Sequence, residues 1–411
     1  MGDWGTQFGK IILAFLKWGN KEQVEKNPVD ELNSLYVKFH EEVEKTPELE
    51  DEAREVFKQL EQGNTEYHDL WKWIVDINQS YTNEILDDLN VTVEEHLGES
   101  FYTDKMDAVL VEMEEKGLLT HNADGSVAVD FESQGVALPS CLVQKKDGST
   151  LYHTRDLATV KYRLEHYAPK RIIYVVGDDQ SLHFRQLFAM VRLLGWAPEV
   201  DLLHMNYGLV VLPEGKMSTR KGKSITAKEV LDEAKERAKG ILKEKNVDEK
   251  EIDFDLLVKQ IAYGAITYSC LSISTTSNLI FDWDKILTFE GNSAPYLQYV
   301  YARTSSLLRK VETIQTPDSM ETLISKEEHQ LMVKLLQFKD TLEAALPEIR
   351  LNFLAQYLYE LAGDFNSFYS KVRVLESAGE ERIQRIFLVA KTKEVMEKGL
   401  YLLNIAAPER M

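Results

Sequence analysis

The sequence predicts an α/β fold with a helical insertion, followed by an all-helical bundle. Three observations predict it. The run Arg171-Ile172-Ile173-Tyr174-Val175-Val176 is continuous and apolar, the mark of a strand buried on both faces. It passes through Gly177-Asp178-Asp179-Gln180-Ser181 into a helical stretch, Leu182 to Leu194, closed by Gly195. A further strand pair follows, Leu202 to His204 and Leu209 to Leu212, which completes an α/β order. From Thr226 onward the chain reads as helix almost throughout. Its clearest stripe is Leu351, Leu354, Leu358, Leu361, Phe365 and Phe368, spaced by three and four residues.

The elements follow in order. Pro28 to Gly63 is dense in charge, with Phe39, Val43, Phe57 and Leu60 at helical spacing, so it predicts solvated helices broken near Thr46-Pro47. A second helical piece runs from about Trp71 to about Asp88, with Trp71, Ile74, Val75, Asn78 and Tyr81 on one face. A third covers Tyr102 to Lys116 and stops at Gly117. Short β-like runs come next: Val127-Ala128-Val129, Ala137-Leu138 and Cys141-Leu142-Val143. Asp147-Gly148 forms a hairpin turn before Leu151-Tyr152. A helix spans about Thr154 to Tyr167 and ends at Pro169. Gly291, Asn292 and Pro295 mark a junction near Phe289 to Pro295, and Ile383, Phe387, Ala390 and Leu400 belong to the last long helix.

Composition bounds the function. At 411 residues, two or three domains of ~100–200 residues are expected. Hydrophobic residues make up 44% and charged residues 28%, which excludes a disordered chain or a collagen. No apolar run reaches the ~18 residues of a membrane helix, and the start of the chain lacks a signal-peptide pattern. The formal charge is −20, so any nucleic-acid partner must be met by a local basic patch. Two distant cysteines, Cys141 and Cys270, fit a reducing cytoplasm and no cysteine-built metal site.

In open α/β sheets ligands sit beyond the strand C-termini, which marks Asp178, Asp179 and Gln180 as candidates. The strongest single feature is Lys216-Met217-Ser218-Thr219-Arg220-Lys221-Gly222-Lys223, four cations in eight residues between a β-hairpin and a helix. Such a loop can stabilise charge developing on a polyphosphate; a solvated surface loop is the plainer alternative.

Those residues also carry a likeness. Lys216-Met217-Ser218-Thr219-Arg220 resembles the Lys-Met-Ser-Lys-Ser signature of class I aminoacyl-tRNA synthetases, in the form found in arginyl-tRNA synthetases. Gly2-Asp3-Trp4-Gly5-Thr6-Gln7-Phe8-Gly9, Leu151-Tyr152-His153-Thr154-Arg155-Asp156-Leu157-Ala158, Gly291 to Tyr299 and Ala407-Pro408-Glu409-Arg410-Met411 are similar to segments of the same family, in the same order. The resemblance implies the C-terminal half of a class I Rossmann-like nucleotide-binding domain over 1–225, with a helical insertion at about 21–125 and the signature loop at 216–222. A helical linker or stem-contact region over 226–290 and an α-helical anticodon-binding domain over 291–411 would complete the chain.

It also implies roles. Tyr152, Asp156 and Gln180 would hold the substrate guanidinium, since a carboxylate accepts two parallel N–H bonds from that fork. Asp156 alone would read as a carboxylate meeting a helix dipole. His204, Gly208 and Leu209 would border the adenine and ribose, with Gly208 letting a nucleotide approach the backbone. His204 reads equally well as a satisfied core histidine. Lys216, Met217, Ser218, Thr219 and Arg220 would form the catalytic loop, with Lys216 and Ser218 on ATP. Thr219 replaces the second signature lysine. Tyr299, Arg303 and Met411 would contact the anticodon loop, because aromatic and cationic groups suit splayed bases. Core packing accounts for about half of the bundle's tyrosines as readily.

The implied activity is arginine–tRNA ligation, with ATP and its Mg2+ as substrate, L-arginine and tRNA-Arg as partners, no tightly bound cofactor, no membrane, and a cytoplasmic monomer. The family's His-x-Gly-His motif lies upstream of the Gly-Asp-Trp-Gly segment, and only Met1 precedes that segment here. The expectation is therefore a truncated form with impaired or no activity alone. A non-catalytic tRNA-binding module, or one part of a split synthetase completed by an N-terminal fragment, are the alternatives.

Overall fold

In the computed structural model, residues 2–212, 215–216, 226–245, 247, 252–323 and 325–411 are described. They fall into two compact units, one of residues 2–174 and 179–204, the other of 175–178, 205–216 and 226–411.

The first unit opens with five helices, α1 (Thr6–Trp18), α2 (Lys21–Lys26), α3 (Pro28–Lys45), α4 (Glu48–Glu61) and α5 (Thr65–Asp88). Pro28 starts α3 at its first turn, where a missing N–H costs nothing. Thr46, which precedes Pro47, leaves the helical region and separates α3 from α4. Ile12, Phe39, Ala53, Leu60 and Ile74 form the shared core. Asn64 caps α5 by accepting from the Tyr67 N–H at 3.2 Å. The predicted face of α5 narrows to Ile74, its one buried residue. Helix α1 lies in a segment where the sequence pattern predicts no helix.

The Gly-Asp-Trp-Gly segment ties this bundle to the chain around Ser100. Buried Asp3 accepts from the Ser100 N–H at 2.9 Å and the Ser100 hydroxyl at 2.6 Å, and its carbonyl accepts from Trp71 Nε1 at 2.7 Å. The Trp4 ring stands edge-on to Trp71 at 5.3 Å. Gly98 is required there, because a Cβ would overlap the Asp3 carboxylate.

A 3-10 turn (Glu99–Lys105) leads into α6 (Met106–Glu115), then β1 (Thr120–His121), β2 (Val127–Val129) and β3 (Cys141–Gln144), an antiparallel sheet in the order β1-β2-β3. Ala137-Leu138 is not a strand. The Asp147-Gly148 turn forms as expected, with Asp147 accepting from the Ser149 hydroxyl and N–H. Leu151-Tyr152 is no returning strand, however: Tyr152 already begins α7 (Tyr152–Tyr167). Left-handed Ala168 ends α7 one residue before Pro169. Burial pushes the Cys141 thiol up to about 12.

Strand β4 (Arg171–Gly177), a 3-10 turn (Asp178–Gln180), α8 (Ser181–Leu193) and β5 (Asp201–Tyr207) come next. An Arg171–Asp201 ion pair joins the strand starts and an Asn206–Asp178 hydrogen bond joins their ends, so β4 and β5 run in the same direction. Both strands begin in the first unit and end in the second. The expected strand pair corrects here. Strand β5 pairs with β4, whereas β6 (Val210–Leu212) lies in another sheet, antiparallel to β7 (Gly215–Lys216) and parallel to β8 (Leu279–Ile280).

The second unit is otherwise helical: α9 (Ala227–Glu244), α10 (Phe254–Leu271), α11 (Trp283–Ile286), α12 (Ala294–Leu308), α13 (Lys326–Leu336), α14 (Phe338–Ala345), α15 (Leu351–Lys371) and α16 (Gly379–Leu402). Thr226 and Glu229 close α9 with a reciprocal capping box. Leu354, Leu358, Leu361, Phe365 and Phe368 of α15 are buried, as their spacing predicts. Each such side chain contributes about 1.5–3 kcal/mol relative to exposure. On α16 the buried face is Ile386, Val389, Met396 and Leu400; Ile383, Phe387 and Ala390 are only half-buried. Tyr268 of α10 reaches into this core and donates to the Ala355 carbonyl at 3.0 Å.

Candidate functional site

Two groups of candidate residues come together, one in each unit. In the first, Tyr152 and Asp156 lie one turn apart on α7, and Gln180 immediately precedes α8. Tyr152 is 66% exposed and Gln180 is exposed, so both stand on an open ledge. Asp156 is the anchored member. His183, on the first turn of α8, pairs its Nε2 with Asp156 Oδ2 at 2.6 Å. This contact brings the Asp156 face of α7 to the Gln180 end of α8, although Gln180 itself makes no side-chain hydrogen bond among the described residues.

Among the described residues, the cations near Asp156 are engaged elsewhere. Its neighbour Arg155 is paired with Glu99. The Arg163 guanidinium lies over the Tyr174 ring at 5.3 Å. Among the described residues, His183 is therefore the one hydrogen-bonding partner of the Asp156 carboxylate. Burial raises the Glu99 carboxyl above its usual range, with Asp156 adding to the effect and Arg155 opposing it. Burial likewise pushes the Tyr174 phenol up to about 12.

The His183 ring is itself clamped. It lies 4.3 Å from the His153 ring and edge-on to Phe184 at 5.3 Å. Burial, and then His183, push His153 down to about 4, so His153 packs as a neutral ring. Phe184 in turn stacks on His204 at 4.4 Å with an interplanar angle of 28°. His204 is thus packed from one side on the aromatic row behind Asp156. The sequence pattern does not single out His183. Its signal is slight: one histidine a single helical turn after Gln180.

In the second unit, Gly208 has a reason of its own. A Cβ there would overlap the Ser277 carbonyl, and the Gly208 N–H donates to Thr275 O at 2.7 Å. The Ser277 segment of the chain thus comes close to the backbone at Gly208. Leu209, 51% exposed, donates its N–H to Asn278 Oδ1 at 2.8 Å. Lys216 ends β7. Met217, Ser218, Thr219 and Arg220 lie outside the described residues.

The same unit brings Tyr299, Arg303 and Met411 to one cavity of about 640 Å3. Tyr299 and Arg303 are one turn apart on α12. Arg303 donates to Tyr299 Oη at 2.9 Å and to Asn366 Oδ1 at 2.6 Å. Its guanidinium also faces the Tyr299 ring at 4.6 Å and the Tyr369 ring at 4.9 Å. Asn366 donates onward to Tyr296 Oη at 2.9 Å. The last residues are fastened in place: Gln298 Nε2 donates to Ala406 O at 2.9 Å, and Glu409 pairs with Lys393 at 2.8 Å. Lys393 holds the Glu409 carboxyl below its usual range. An aromatic floor, a fixed guanidinium and an amide form a wall on which a flat, hydrogen-bonding ring can stack. Asn366 and Lys245, which also line the cavity, were not anticipated. Asn366 comes from α15, where a polar position reads as solvated surface.

Comparison with known proteins covers nearly the whole chain. Residues 1–283 match the family described as tRNA synthetases class I (R), catalytic domain, and residues 297–411 match the DALR anticodon binding domain. The arginine–tRNA ligase of Clostridioides difficile (strain 630) is 41% identical over 412 residues, covering 100% of this chain and 72% of that protein. That of Halothermothrix orenii is 40% identical with the same coverage. Among solved structures, Plasmodium falciparum arginyl-tRNA synthetase superposes with a TM-score of 0.82 at 25% identity, covering 100% of this chain and 68% of that one. Thermus thermophilus arginyl-tRNA synthetase shares the fold with a TM-score of 0.84 at 24% identity, covering 100% and 75%. With a catalytic-domain pattern over more than half of its length and such relatives aligned along all of it, the chain belongs to the arginine–tRNA ligase family of class I aminoacyl-tRNA synthetases.

Proposed function

We propose that this chain performs the work of an arginine–tRNA ligase: activation of L-arginine with ATP and transfer of the arginyl group to tRNA-Arg. The observation that carries the reading is the presence of both family patterns, catalytic and anticodon-binding, in order along one chain. In the activation step the arginine carboxylate attacks the α-phosphorus of ATP and pyrophosphate leaves. A terminal adenosine hydroxyl of the tRNA then attacks the arginyl carbonyl and AMP leaves. Mg2+ enters with ATP as part of the substrate, keeping water and phosphate as ligands.

Each group of side chains takes a part in this reading. Asp156 receives the guanidinium as a forked acceptor, with Tyr152 and Gln180 alongside. A charge-assisted bond of this kind contributes about 1.5–3 kcal/mol. His204, Gly208 and Leu209 border the adenine and ribose. Lys216, Met217, Ser218, Thr219 and Arg220 stabilise charge on the departing phosphates. Tyr299, Arg303 and Met411 hold a base of the anticodon loop. Residues 1–225 form the catalytic part, 226–290 the connecting helices and 291–411 the anticodon-binding part. No described helix is long and apolar enough to cross a membrane. The working location in this reading is the cytoplasm, where tRNA is charged.

The test combines arginine binding with aminoacylation of tRNA-Arg. Asp156→Ala is expected to abolish arginine binding and leave ATP binding in place; unchanged arginine affinity would overturn the pocket assignment. Running aminoacylation with and without an added polypeptide that carries a His-x-Gly-His segment separates a self-sufficient ligase from one part of a split enzyme.

A further inference from the structure

We propose that His183 is a positioning residue for Asp156, setting the rotation of the carboxylate that receives the arginine guanidinium. The inference deepens the reading above and rests on it. A carboxylate that serves a guanidinium fork must present both oxygens in one plane, and a freely rotating Asp side chain does so only part of the time. His183 limits that freedom. Its Nε2 lies 2.6 Å from Asp156 Oδ2, so an Nε2–H donor fixes one oxygen while the other carries no hydrogen bond from a described residue.

The imidazole can do this because it cannot turn. It is held between the His153 ring at 4.3 Å and the edge of Phe184 at 5.3 Å, and Phe184 is buried. The donor in this place is a ring nitrogen rather than a lysine ammonium or an arginine fork. A lysine or arginine in this place would already satisfy the negative charge and compete with the incoming guanidinium. Among the described residues, the neighbouring cations are engaged elsewhere, Arg155 by Glu99 and Arg163 over Tyr174. Asp156 therefore obtains its orientation from a ring.

The test uses the 411-residue chain, with L-arginine as the probe in calorimetric titration. His183→Phe keeps a ring in the aromatic row but removes the donor, and arginine binding is expected to weaken at least tenfold while ATP binding stays the same. His183→Gln, which restores an N–H donor, is expected to recover affinity to within about threefold of the parent. A second measurement does not depend on these variants folding. In nitrogen-15 spectra of the parent protein, the His183 ring is expected to carry its proton on Nε2, with the proton signal moving upfield in Asp156→Asn. Arginine affinity within twofold of the parent in His183→Phe, or a His183 proton on Nδ1 alone, would overturn the inference and leave the arginine pocket intact. Unchanged affinity in Asp156→Ala, or no arginine binding by the parent chain, would overturn the pocket reading and the inference with it.

Discussion

Arg303 offers a test of the proposed anticodon contact, and of whether that contact works by charge or by geometry. The perturbation is Arg303→Lys, which keeps the cation and removes the fork. In the structure the guanidinium donates to two neutral partners, Tyr299 at 2.9 Å and Asn366 at 2.6 Å, and faces the Tyr299 and Tyr369 rings at 4.6 and 4.9 Å. A lysine can reach one of those acceptors and cannot lie flat between rings. Each exposed cation–π contact contributes about 0.5–1 kcal/mol and each lost hydrogen bond about 1 kcal/mol. Part of this returns through hydration of the freed groups, because Arg303 is only half-buried. The loss that reaches tRNA binding is then about 1–2 kcal/mol, or roughly a 5- to 30-fold weaker complex. The assay is equilibrium binding of a tRNA-Arg transcript across a salt series, comparing Arg303→Lys with Arg303→Ala. The lysine variant should fall close to the alanine variant, with the salt slope of the parent, since the number of cations facing phosphate is unchanged. Binding by Arg303→Lys within twofold of the parent would refute the geometric argument and leave only a charge.

Three further outcomes are expected. His153 has its pKa lowered from 6.5 to about 4, so between those values the unfolded chain binds a proton that the native site refuses. Stability therefore rises with pH across that window and is lost as pH falls through it, by no more than about 3 kcal/mol. His153→Gln should flatten the melting temperature between pH 6.5 and 4, and an unchanged acid slope would refute this. Glu328 is fully buried, pairs with Arg385 at 2.7 Å and accepts from the Ser325 N–H at 2.8 Å; urea denaturation of Glu328→Ala should show a loss of about 3–5 kcal/mol. Gly208→Ala places a Cβ against the Ser277 carbonyl, a backbone atom that cannot swing aside, and should lower stability by about 1–3 kcal/mol. An unshifted melting temperature in that variant would show that the Ser277 segment yields freely.

How much of the fold is legible in sequence depends on how far each contact reaches along the chain. Strand β4 was readable as a strand from its apolar run, but it buries Ile172 and Tyr174 and leaves Ile173 and Val175 exposed, which corrects the expectation of burial on both faces. Helix α8 and the α15 stripe were readable because each presents one face to the core. Helix α16 packs against α12, α13 and α15, and its buried side includes the polar Gln384 and Thr392, so no purely apolar stripe marks its core face. Strand β8 is two residues paired with a strand some seventy positions earlier, and a run that short has no period to detect. The candidate sites divide in the same way. Tyr299 and Arg303 were visible through the likeness to known enzymes, as an aromatic and a cation suited to splayed bases. Asn366, which completes their hydrogen bonds, arrives from another helix and bears no local mark. Asp156 was visible through a likeness to known enzymes, but its partner His183 could be recognised only once α7 and α8 were folded together. Residues that touch a ligand thus leave a trace in sequence order, whereas residues that orient them are chosen by proximity. That is why His183, rather than a further copy of the motif, is the position where mutation tells most about how the proposed arginine site is held.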